Sequence, residues 1–504
     1  MKTEGQEFFS SRMGLVLAGI GMAVGTGNIW RFPRIAGKNG GLAFIVCWLL
    51  ALFIWSIPLM MAEMVIGRES RKGPVGALRS FAGEKFTFLG AWVAFVTLAI
   101  MFYYSVVAGW CLRYFTYFVA GMVPTDATAA TNWWNAFTGT PWQPILFHFL
   151  AMVIAAFVVA QGIQAGLERA NKVLLPALFV MLVGLVIRAL TLEGSWEGVR
   201  FLFHLDTSAF LQAKTWLEAF SQSAWSTGAG WGLLLTFAVY SDVRESKPAT
   251  DCTIIGFSNN LASMLAALVV IPTVFALSGT TQAAKDILSK GNTGLTFTSL
   301  ASLFGGISAG WLFGAIFFLA LFFAALTSLI SMVELGARML IDFGMDRRKA
   351  VTTIGIIAFL FGIPSAVYMP FFNNQDWVWG VGLLVSGLFI AIAVILRSVS
   401  ECADMIFPKE STIDRQLWSI AITFIIPIMF VILTGWWLHQ GATWETKIAW
   451  YNPIAQYSPG TVLAQWALAL AVLISLNGII NYHLTSDQNE GGSGEKAGEA
   501  VPGD

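Results

Sequence analysis

Two glycine-rich stretches contain the residues whose types and spacing could do chemistry in this chain. The first reads GLVLAGIGMAVGTGNIWRFP over residues 14–33, and the second reads EAFSQSAWSTGAGWG over residues 218–232. Repeated glycine, with a proline at the end of the first stretch, disfavours a continuous helix. An unwound helix exposes carbonyl oxygens that can coordinate a cation, and a half-helix N-terminus can hold an anionic group. We therefore expect ion or ligand binding at both stretches; glycines that only permit close helix packing are the alternative.

Cysteine and histidine chemistry is not indicated. The four cysteines lie in or beside apolar stretches without paired spacing, which predicts neither a disulfide framework nor a zinc site. The four histidines are scattered and lie near the ends of apolar stretches. Because no nucleophile with a base and no metal-ligand cluster is visible, we do not expect an enzyme.

The composition indicates that the surrounding elements are solvated by lipid. The chain has 504 residues, of which 57% are hydrophobic and 12% are charged. A soluble domain has about 25% charged residues, so a single water-solvated core is excluded. The 29 basic residues balance 29 acidic ones, which gives no reason to expect a nucleic-acid partner. The chain is expected to be an all-α integral membrane protein in contact with the lipid bilayer.

Twelve stretches are long and apolar enough to be membrane-spanning helices, each of which needs roughly 20 residues. Their predicted ranges are 13–36, 41–66, 88–121, 143–162, 173–191, 214–241, 250–279, 307–341, 350–369, 376–396, 416–438 and 459–482. The two glycine-rich stretches fall in the first and sixth. Non-helical backbone at membrane depth is tolerated only where it lines a cavity or is buried in protein, and interruptions at corresponding positions of two halves are typical of a transport site.

Basic residues in the short loops predict the orientation. They concentrate in every second loop, whereas the loop of residues 122–142 has none and contains three tryptophans. This bias places both termini in the cytoplasm, in a multi-pass protein of the cell membrane. We predict an N-terminal cytoplasmic segment (1–12), one membrane domain (13–483) and a polar, glycine-rich, disordered cytoplasmic tail (484–504).

Ordered motifs in the chain resemble those of the neurotransmitter:sodium symporter family. The match begins at GMAVGTGNIWRFP and continues with KNGGLAF, PLMMAEMVIGR, MFYYSVVAGW, SQSAWSTGAGWG, FSNNLAS and FFAALTSLIS. The resemblance covers nearly all of residues 6–480. It implies sodium-coupled symport of an amino acid by alternating access, with inverted five-helix repeats at about 13–191 and 214–396 and peripheral helices at 416–482. It leaves open whether the protein is a homodimer.

The resemblance also implies two sodium sites built from uncharged oxygen donors, which suit a hard cation. The first would use Ala23, Asn28, Ser226, Asn259 and the carboxylate of the substrate. The second would use Gly21, Val24, Ala324, Thr327 and Ser328. Without the resemblance, the simpler interpretation is that these Ser, Thr and Asn side chains form hydrogen bonds between helices.

The implied substrate pocket lies at the same helix breaks. Its residues would be Ala23, Gly25, Thr26, Gly27, Ile100, Tyr104, Trp225, Ser226, Gly228, Trp231, Ser328 and Met332. The Tyr104 hydroxyl and the amides around residues 25–27 would hold the substrate carboxylate. Related transporters of monoamines have an aspartate where this chain has Gly25, so the glycine favours an amino acid. We expect a hydrophobic or aromatic side chain on the substrate.

The resemblance implies gates on both sides of the pocket. Arg31 and Asp376 would form the outer ion pair, with Trp231 as an aromatic lid beneath it. Glu63 would brace the unwound first helix. Tyr240 and Asp342 match the inner gate, but Gln6 stands where an arginine is usual, so Lys2, Arg12 or Gln6 itself would have to replace that arginine.

Chloride is a further expected ligand. The family's sodium-only bacterial members have an acid where this chain has Ser263, and two sodium ions need a compensating negative charge. The candidate chloride site comprises Trp48, Gln222, Ser226, Asn259 and Ser263, while Glu218 could supply the negative charge instead. An ion channel or a non-transporting amino-acid sensor of the same fold remains the alternative function.

Overall fold

Helices make up nearly all of the structure, a computed structural model that describes residues 7–444 and 449–484. Within these ranges nine helices are long and apolar enough to cross a membrane, or eleven if each of two bent helix pairs is one span. In chain order they are Arg12–Ala23 with Gly27–Lys38, Leu42–Ser70, Glu84–Val119, Trp142–Ala160, Ile163–Leu190, Pro248–Leu277, Gly310–Asp342, Arg347–Val367, Met369–Arg397, Thr412–Trp444, and Pro459–Ser475 with Asn477–Leu484.

The predicted sixth span lies in two shorter helices. These are Ala213–Ser226 and Leu233–Ala238, and six residues separate them. The prediction of an all-α membrane protein with interrupted first and sixth helices is confirmed. The count of twelve stays a prediction, because neither half of the sixth helix reaches membrane-spanning length alone. The spans are numbered below as in the prediction, from the first to the twelfth.

Shorter helices connect the spans. They are Pro74–Ala82, Ala127–Thr138, Ser195–Leu202, Thr281–Ser289, Gly294–Gly305 and Val399–Ile406, with a 3-10 turn at Thr207–Leu211. Several begin with a side chain that caps the free backbone amides: Asp126 accepts a hydrogen bond from Ala129 N, and Thr280 from Ala283 N.

The fifth span begins ten residues before the prediction, at Ile163 instead of residue 173. The additional turns contain Glu168 and Lys172, which hydropathy alone assigns to a loop. In the fold the Glu168 carboxylate lies 2.7 Å from Lys172 Nζ and accepts a hydrogen bond of 2.8 Å from Ser10 N. Because the charge is paired locally, the helix can continue through this segment.

The third and eighth spans form the centre of the bundle. They pack along each other, and 72% and 83% of their most apolar segments are buried, against 33% for the eleventh span. The first span packs against the seventh and eighth spans. Both interrupted helices are therefore held in the protein interior, away from lipid. The predicted tail lies outside the described residues apart from Leu484, and the predicted N-terminal segment is described from Glu7.

Candidate functional site

The first helix ends at Ala23, and the chain bends by 50° before helix resumes at Gly27. The amides within the break bond to side chains instead of helix carbonyls: Gly25 N donates to Asn28 Oδ1 (2.9 Å) and Thr26 N donates to Tyr104 Oη (3.1 Å). The carbonyls four residues earlier therefore lose their helical partners. Free backbone oxygens are thus available deep in the bundle.

The sixth helix is interrupted by three glycines in left-handed conformations. Gly228, Gly230 and Gly232 have φ angles of 71°, 90° and 76°, which residues with a side chain rarely adopt. The buried Glu63 carboxylate accepts hydrogen bonds from Gly230 N (2.6 Å) and Leu235 N (3.2 Å). The acid therefore braces the broken sixth helix, whereas we expected it to brace the first. One donor, Gly230 N, lies in the break, and the other, Leu235 N, is among the free amides of the first turn of the helix Leu233–Ala238.

A cavity of about 630 Å³ lies between the two breaks. All twelve residues expected in the substrate pocket line it: Ala23, Gly25, Thr26, Gly27, Ile100, Tyr104, Trp225, Ser226, Gly228, Trp231, Ser328 and Met332. The structure thus brings the expected set together around one space, and its role in binding stays a prediction. The cavity continues past Arg31 and Asp376 to Trp444 and Tyr457.

Three oxygens converge where the first sodium site is expected. Asn259 Oδ1 lies 2.8 Å from the Ser226 carbonyl oxygen and 3.1 Å from the Ala23 carbonyl oxygen. The Asn28 side chain also meets Asn259 Oδ1, at 2.6 Å from Asn28 Nδ2. Acceptors that face one another repel unless a positive charge or a donor lies between them. A rotated Asn259 amide would supply donors, and a sodium ion would supply the charge, so the donor set fits the cation.

The residues of the expected second sodium site also lie together. Thr327 Oγ1 donates to the Ala324 carbonyl oxygen at 3.1 Å, and Ser328 Oγ donates to the Met22 carbonyl oxygen at 3.3 Å. A Cβ atom placed on Gly21 would lie 3.4 Å from Thr327 Cβ. The eighth span therefore presents its hydroxyls to the end of the first helix, where the released carbonyls of Gly21 and Val24 are expected.

The space beside Gly25 is too small for a side chain. A Cβ atom there would lie 2.9 Å from Ser328 Oγ and 3.0 Å from Tyr104 Oη. These two hydroxyls and the neighbouring amides form a cluster of polar hydrogens. Such a cluster suits a carboxylate, which accepts hydrogen bonds only.

At the side of the cavity that is expected to face outward, Arg31 has different partners from the one expected. Its guanidinium carbon lies 3.8 Å from the centre of the Trp225 ring, and Nη1 donates to Gln222 Oε1 at 3.1 Å. Arg31 Nη2 lies 3.7 Å from Glu218 Oε2. Within residues 7–444 and 449–484 no ion pair joins Arg31 to Asp376. In this conformation the arginine is paired with Glu218, and the expected outer pair stays a prediction for the closed gate.

The aromatic ring beneath Arg31 is Trp225, where we expected Trp231. Trp225 Nε1 donates to the Gly380 carbonyl oxygen at 2.8 Å, which fixes the ring between the sixth and tenth spans. Trp231 lies deeper, within the sixth-helix break, where its carbonyl oxygen accepts a hydrogen bond of 2.7 Å from Thr97 Oγ1. Trp225 is thus the ring in contact with Arg31, and the lid role of a tryptophan stays a prediction.

At the side of the bundle that is expected to face the cytoplasm, a partly buried network of ion pairs and hydrogen bonds joins several segments. Tyr240 Oη donates to Glu334 Oε1 at 2.5 Å, and Arg347 Nη1 donates to Glu334 Oε2 at 2.7 Å. Arg347 also pairs with Glu7, and Phe9 N donates to the Tyr240 carbonyl oxygen at 3.0 Å. We name Glu7, Tyr240, Glu334 and Arg347 the inner network. It joins the N-terminal segment to the sixth, eighth and ninth spans.

Asp342 does not take part in the inner network. Its carboxylate lies 2.6 Å from Arg338 Nη2, one turn earlier, and accepts a hydrogen bond of 2.5 Å from Gly73 N. Arg12, one candidate for the missing arginine, instead donates Nε to Asp251 at 2.7 Å. Gln6 and Lys2, the other candidates, lie outside the described residues. In the described part of the chain Asp342 pairs with Arg338, and Glu7 of the N-terminal segment pairs with Arg347. A contact of Lys2 or Gln6 with Asp342 stays a prediction.

The candidate chloride site comprises Trp48, Gln222, Ser226, Asn259 and Ser263. Three of these residues, Ser226, Asn259 and Ser263, lie in the first sodium cluster or against it. Ser263 Oγ accepts a hydrogen bond of 2.8 Å from Asn28 Nδ2, and Asn259 Nδ2 donates to Ser226 Oγ at 3.1 Å. The Trp48 indole N–H is buried and has no acceptor in the described part of the chain.

Three functional candidates were not predicted from the sequence: Glu7, Glu334 and Arg347. Glu334 carried a usable signal, because an acid inside an apolar span is a functional candidate by default. Glu7 and Arg347 lie at the ends of the membrane domain, where charged residues are common and do not stand out.

One family model matches nearly the whole chain. The model, described as the sodium:neurotransmitter symporter family, matches residues 6–144 and 137–486. The uncharacterized sodium-dependent transporter MJ1319 of Methanocaldococcus jannaschii is 32% identical over 78% of this chain and 81% of its own length. The uncharacterized sodium-dependent transporter YhdH of Bacillus subtilis is 28% identical over 84% of this chain and 96% of its own.

Two further comparisons involve a protein named for neutral amino acids and a structure that contains L-phenylalanine. The sodium-dependent neutral amino acid transporter B(0)AT2 of Bos taurus is 30% identical over 52% of this chain and 40% of its own length. The crystal structure of MhsT in complex with L-phenylalanine is similar to this structure, with a TM-score of 0.76 and 32% identity. The similarity covers 85% of this chain and 99% of MhsT.

Proposed function

The chain belongs to the sodium:neurotransmitter symporter family, and we therefore propose that it couples the uptake of an amino acid to the entry of sodium. Members of this family are membrane transporters and not enzymes. The observation that carries the proposal is the convergence of uncharged oxygens from both broken helices on one cavity. An amino acid with a hydrophobic or aromatic side chain is the proposed substrate.

The two sodium ions would be held without a charged side chain. Ala23, Asn28, Ser226 and Asn259 would ligate the first ion, and the substrate carboxylate would complete its shell. Because substrate and ion would share this contact, each would raise the affinity for the other. The second ion would join the first helix to Thr327 and Ser328 of the eighth span.

The carboxylate of the amino acid would lie against the first-helix break. Tyr104 Oη and the amides of residues 25–27 would donate to it. Each amide now bonded to a side chain would exchange that partner for the carboxylate, and charge-assisted hydrogen bonds are stronger than neutral ones. Gly25 leaves the room that this carboxylate needs.

The side chain of the amino acid would face the apolar part of the cavity. Ile100, Trp225, Trp231 and Met332 line that part, and Gly228 adds space between them. Aromatic and aliphatic walls favour a hydrophobic side chain. The similarity to MhsT, which was crystallised with L-phenylalanine, and to the neutral amino acid transporter B(0)AT2 supports the same class.

The cavity and the inner network together support an outward-facing conformation with cytoplasmic termini. The cavity continues beyond Arg31 on one side, while the inner network links four segments on the other. Alternating access would require the inner network to open after the outer side closes, with Arg31 moving from Glu218 towards Asp376.

A thermal-shift screen of the purified protein tests this function. The twenty amino acids and their amines would be compared in sodium and in potassium, because a ligand that binds the folded state raises its stability, by about 2.7 kcal/mol at a hundredfold excess over Kd. We expect sodium-dependent stabilisation by hydrophobic or aromatic amino acids. Stabilisation by amines alone would contradict the proposal.

Counterflow in liposomes separates a carrier from the two alternatives. A carrier exchanges labelled amino acid outside for unlabelled amino acid inside, and we expect this exchange to require sodium. A sensor of the same fold would bind without exchange. An ion channel would conduct sodium without saturable exchange of the amino acid.

Chloride binding is a second part of the proposal. Glu218, the acid that could replace the anion, already lies beside Arg31, so its charge is not free to balance sodium. The buried Trp48 N–H has no acceptor in the described part of the chain, and we expect it to donate to the anion. We expect uptake to fall sharply when gluconate replaces chloride.

The variant Ser263→Glu tests whether the anion lies at the proposed place. A carboxylate there would supply the negative charge permanently, so uptake by the variant should no longer depend on chloride. Uptake by the unmodified protein that is equal in chloride and gluconate would show that the chloride part of the proposal is wrong.

A further inference from the structure

The fifth span contains a buried amide that its own helix satisfies only in part. Asn171 is fully buried, and its Nδ2 donates to the Leu167 carbonyl oxygen at 3.0 Å, one turn earlier. Its Oδ1 has no hydrogen-bond partner in the described part of the chain. A buried acceptor without a partner is unfavourable, so its position calls for a ligand.

The unpartnered oxygen points at the end of the first helix. A Cβ atom on Gly21 would lie 2.1 Å from Asn171 Oδ1 and 3.4 Å from Thr327 Cβ. The fifth span packs against both the first and the eighth spans, so Asn171 lies where the three meet. Gly21 and Thr327 are two of the residues proposed to ligate the second sodium ion.

The same contact with Asn171 explains why residue 21 is a glycine. Any side chain at residue 21 would occupy the place of the Asn171 amide oxygen. The glycine therefore allows an oxygen from the fifth span to approach the backbone of the first helix closely.

We propose that Asn171 supplies a further oxygen to the second sodium site, in addition to the donors of the first and eighth spans. The amide oxygen is uncharged and hard, as are the other ligands of that site. This inference rests on the proposed function, because it needs sodium at that position. It makes the fifth span a direct part of the sodium-bound state, so that release of the ion would also free this span from the first.

The test compares two substitutions of nearly equal size. Asn171→Leu keeps the volume and removes the oxygen, whereas Asn171→Asp keeps an oxygen at the same place. Purified full-length protein would be titrated with sodium at saturating amino acid, with thermal stability and counterflow as readouts. We expect the sodium concentration for half-maximal stabilisation to rise about tenfold in Asn171→Leu, the scale of losing a group that supports a metal site, and to remain low in Asn171→Asp.

Thr434→Val is the matched control. Thr434 Oγ1 is likewise buried without a partner, but it lies in the eleventh span at the periphery of the bundle. Its sodium dependence should equal that of the unmodified protein. A general effect of removing a buried oxygen would appear in this variant as well.

The outcomes separate the inference from the function on which it rests. If the unmodified protein responds to sodium and Asn171→Leu responds equally, Asn171 is not a ligand. A loss of amino-acid affinity in Asn171→Leu at saturating sodium, with unchanged sodium dependence, would indicate a packing role and would also overturn the inference. If the unmodified protein shows no response to sodium, both the proposed function and this inference are wrong.

Discussion

At the scale of a single residue, the addition of one methyl group at position 25 should weaken the binding of the amino acid. In Gly25→Ala the added Cβ atom would lie 2.9 Å from Ser328 Oγ and 3.0 Å from Tyr104 Oη. Both hydroxyls would have to move away from the proposed carboxylate position. Overpacking of this kind costs about 1–3 kcal/mol, which predicts amino-acid binding roughly 10 to 100 times weaker. Equilibrium binding of labelled amino acid in saturating sodium measures the change.

Gly184→Ala is the control for this substitution. A Cβ atom on Gly184, in the fifth span, would have no neighbour within 4 Å. Its binding constant should equal that of the unmodified protein. Equal binding by Gly25→Ala would mean that the carboxylate does not occupy the space beside Gly25.

Residue types predicted where the site lies better than they predicted which side chain has which role. Glycines at 25 and 27 and the polar side chains near them line the cavity, and their role in binding stays a prediction. Trp225 and Trp231 are both tryptophans on one interrupted helix, and the path of the break decides which of them meets Arg31. Glu63 was recognisable as a brace, but its acceptor oxygens could reach either broken helix. Such choices depend on backbone direction, which residue type does not specify.

At the scale of the element, the break in the sixth helix depends on a left-handed backbone at Gly230. Its φ angle is 90°, and a Cβ atom there would lie 2.9 Å from the Gly387 Cα atom. The neighbour is backbone and cannot rotate away. We expect Gly230→Ala to lower the free energy of unfolding by about 1–3 kcal/mol and to weaken binding, because the strain falls on the break itself. Thermal unfolding in detergent measures the first effect.

Gly435→Ala is a control in which the change in stability should have the opposite sign. Gly435 lies within the helix Ile426–Trp444, and a Cβ atom there would meet nothing within 4 Å. Alanine is favoured over glycine inside a helix by about 0.5–1 kcal/mol, so this variant should be slightly more stable. An unchanged melting temperature in Gly230→Ala would show that the break tolerates a side chain.

The bounds of the spans were predictable where hydropathy was unambiguous. They were less predictable where charged residues lie within a helix. The spans at Leu42–Ser70 and Pro248–Leu277 match their predicted ranges within a few residues. The start of the fifth span was missed because Glu168 and Lys172 look like loop residues. Their charges are paired with each other and with the N-terminal segment, and this pairing exists only once the helices are assembled.

At the scale of the whole molecule, the inner network should control which side of the membrane the site faces. Glu7→Gln removes one charge from the pair with Arg347. Because this ion pair is partly exposed, we expect a loss of only about 0.5–1 kcal/mol, and hydrogen exchange at residues 7–11 that is two- to fivefold faster. Exchange followed by mass spectrometry measures the opening directly.

Lys349→Gln also breaks one ion pair in this part of the chain, by removing a positive charge, and serves as the comparison. Lys349 pairs with Asp346 at 3.4 Å, and both side chains are mostly exposed. Its exchange at residues 7–11 should match that of the unmodified protein. If Glu7→Gln also exchanges at the unmodified rate, the Glu7–Arg347 pair does not hold the inner side closed.

No pattern in the sequence could have predicted this network. Glu7 and Arg347 are 340 residues apart, and Tyr240 and Glu334 are 94 residues apart. Their contacts follow from the packing of four segments, whereas the motif comparison pointed to Asp342. The departure at residue 6 correctly raised the question of how the inner side closes, but the answer required the assembled bundle.

A cargo of two sodium ions per amino acid would have an electrical consequence. The charged groups of the protein return to their starting places after each complete cycle, so the net charge moved is that of the cargo, and two sodium ions with a zwitterionic amino acid would move positive charge through the bilayer. Each uncompensated charge gains about 2.3 kcal/mol per 100 mV of membrane potential. The transporter would then draw on voltage as well as on concentration, and the current per amino acid would reveal whether chloride accompanies it.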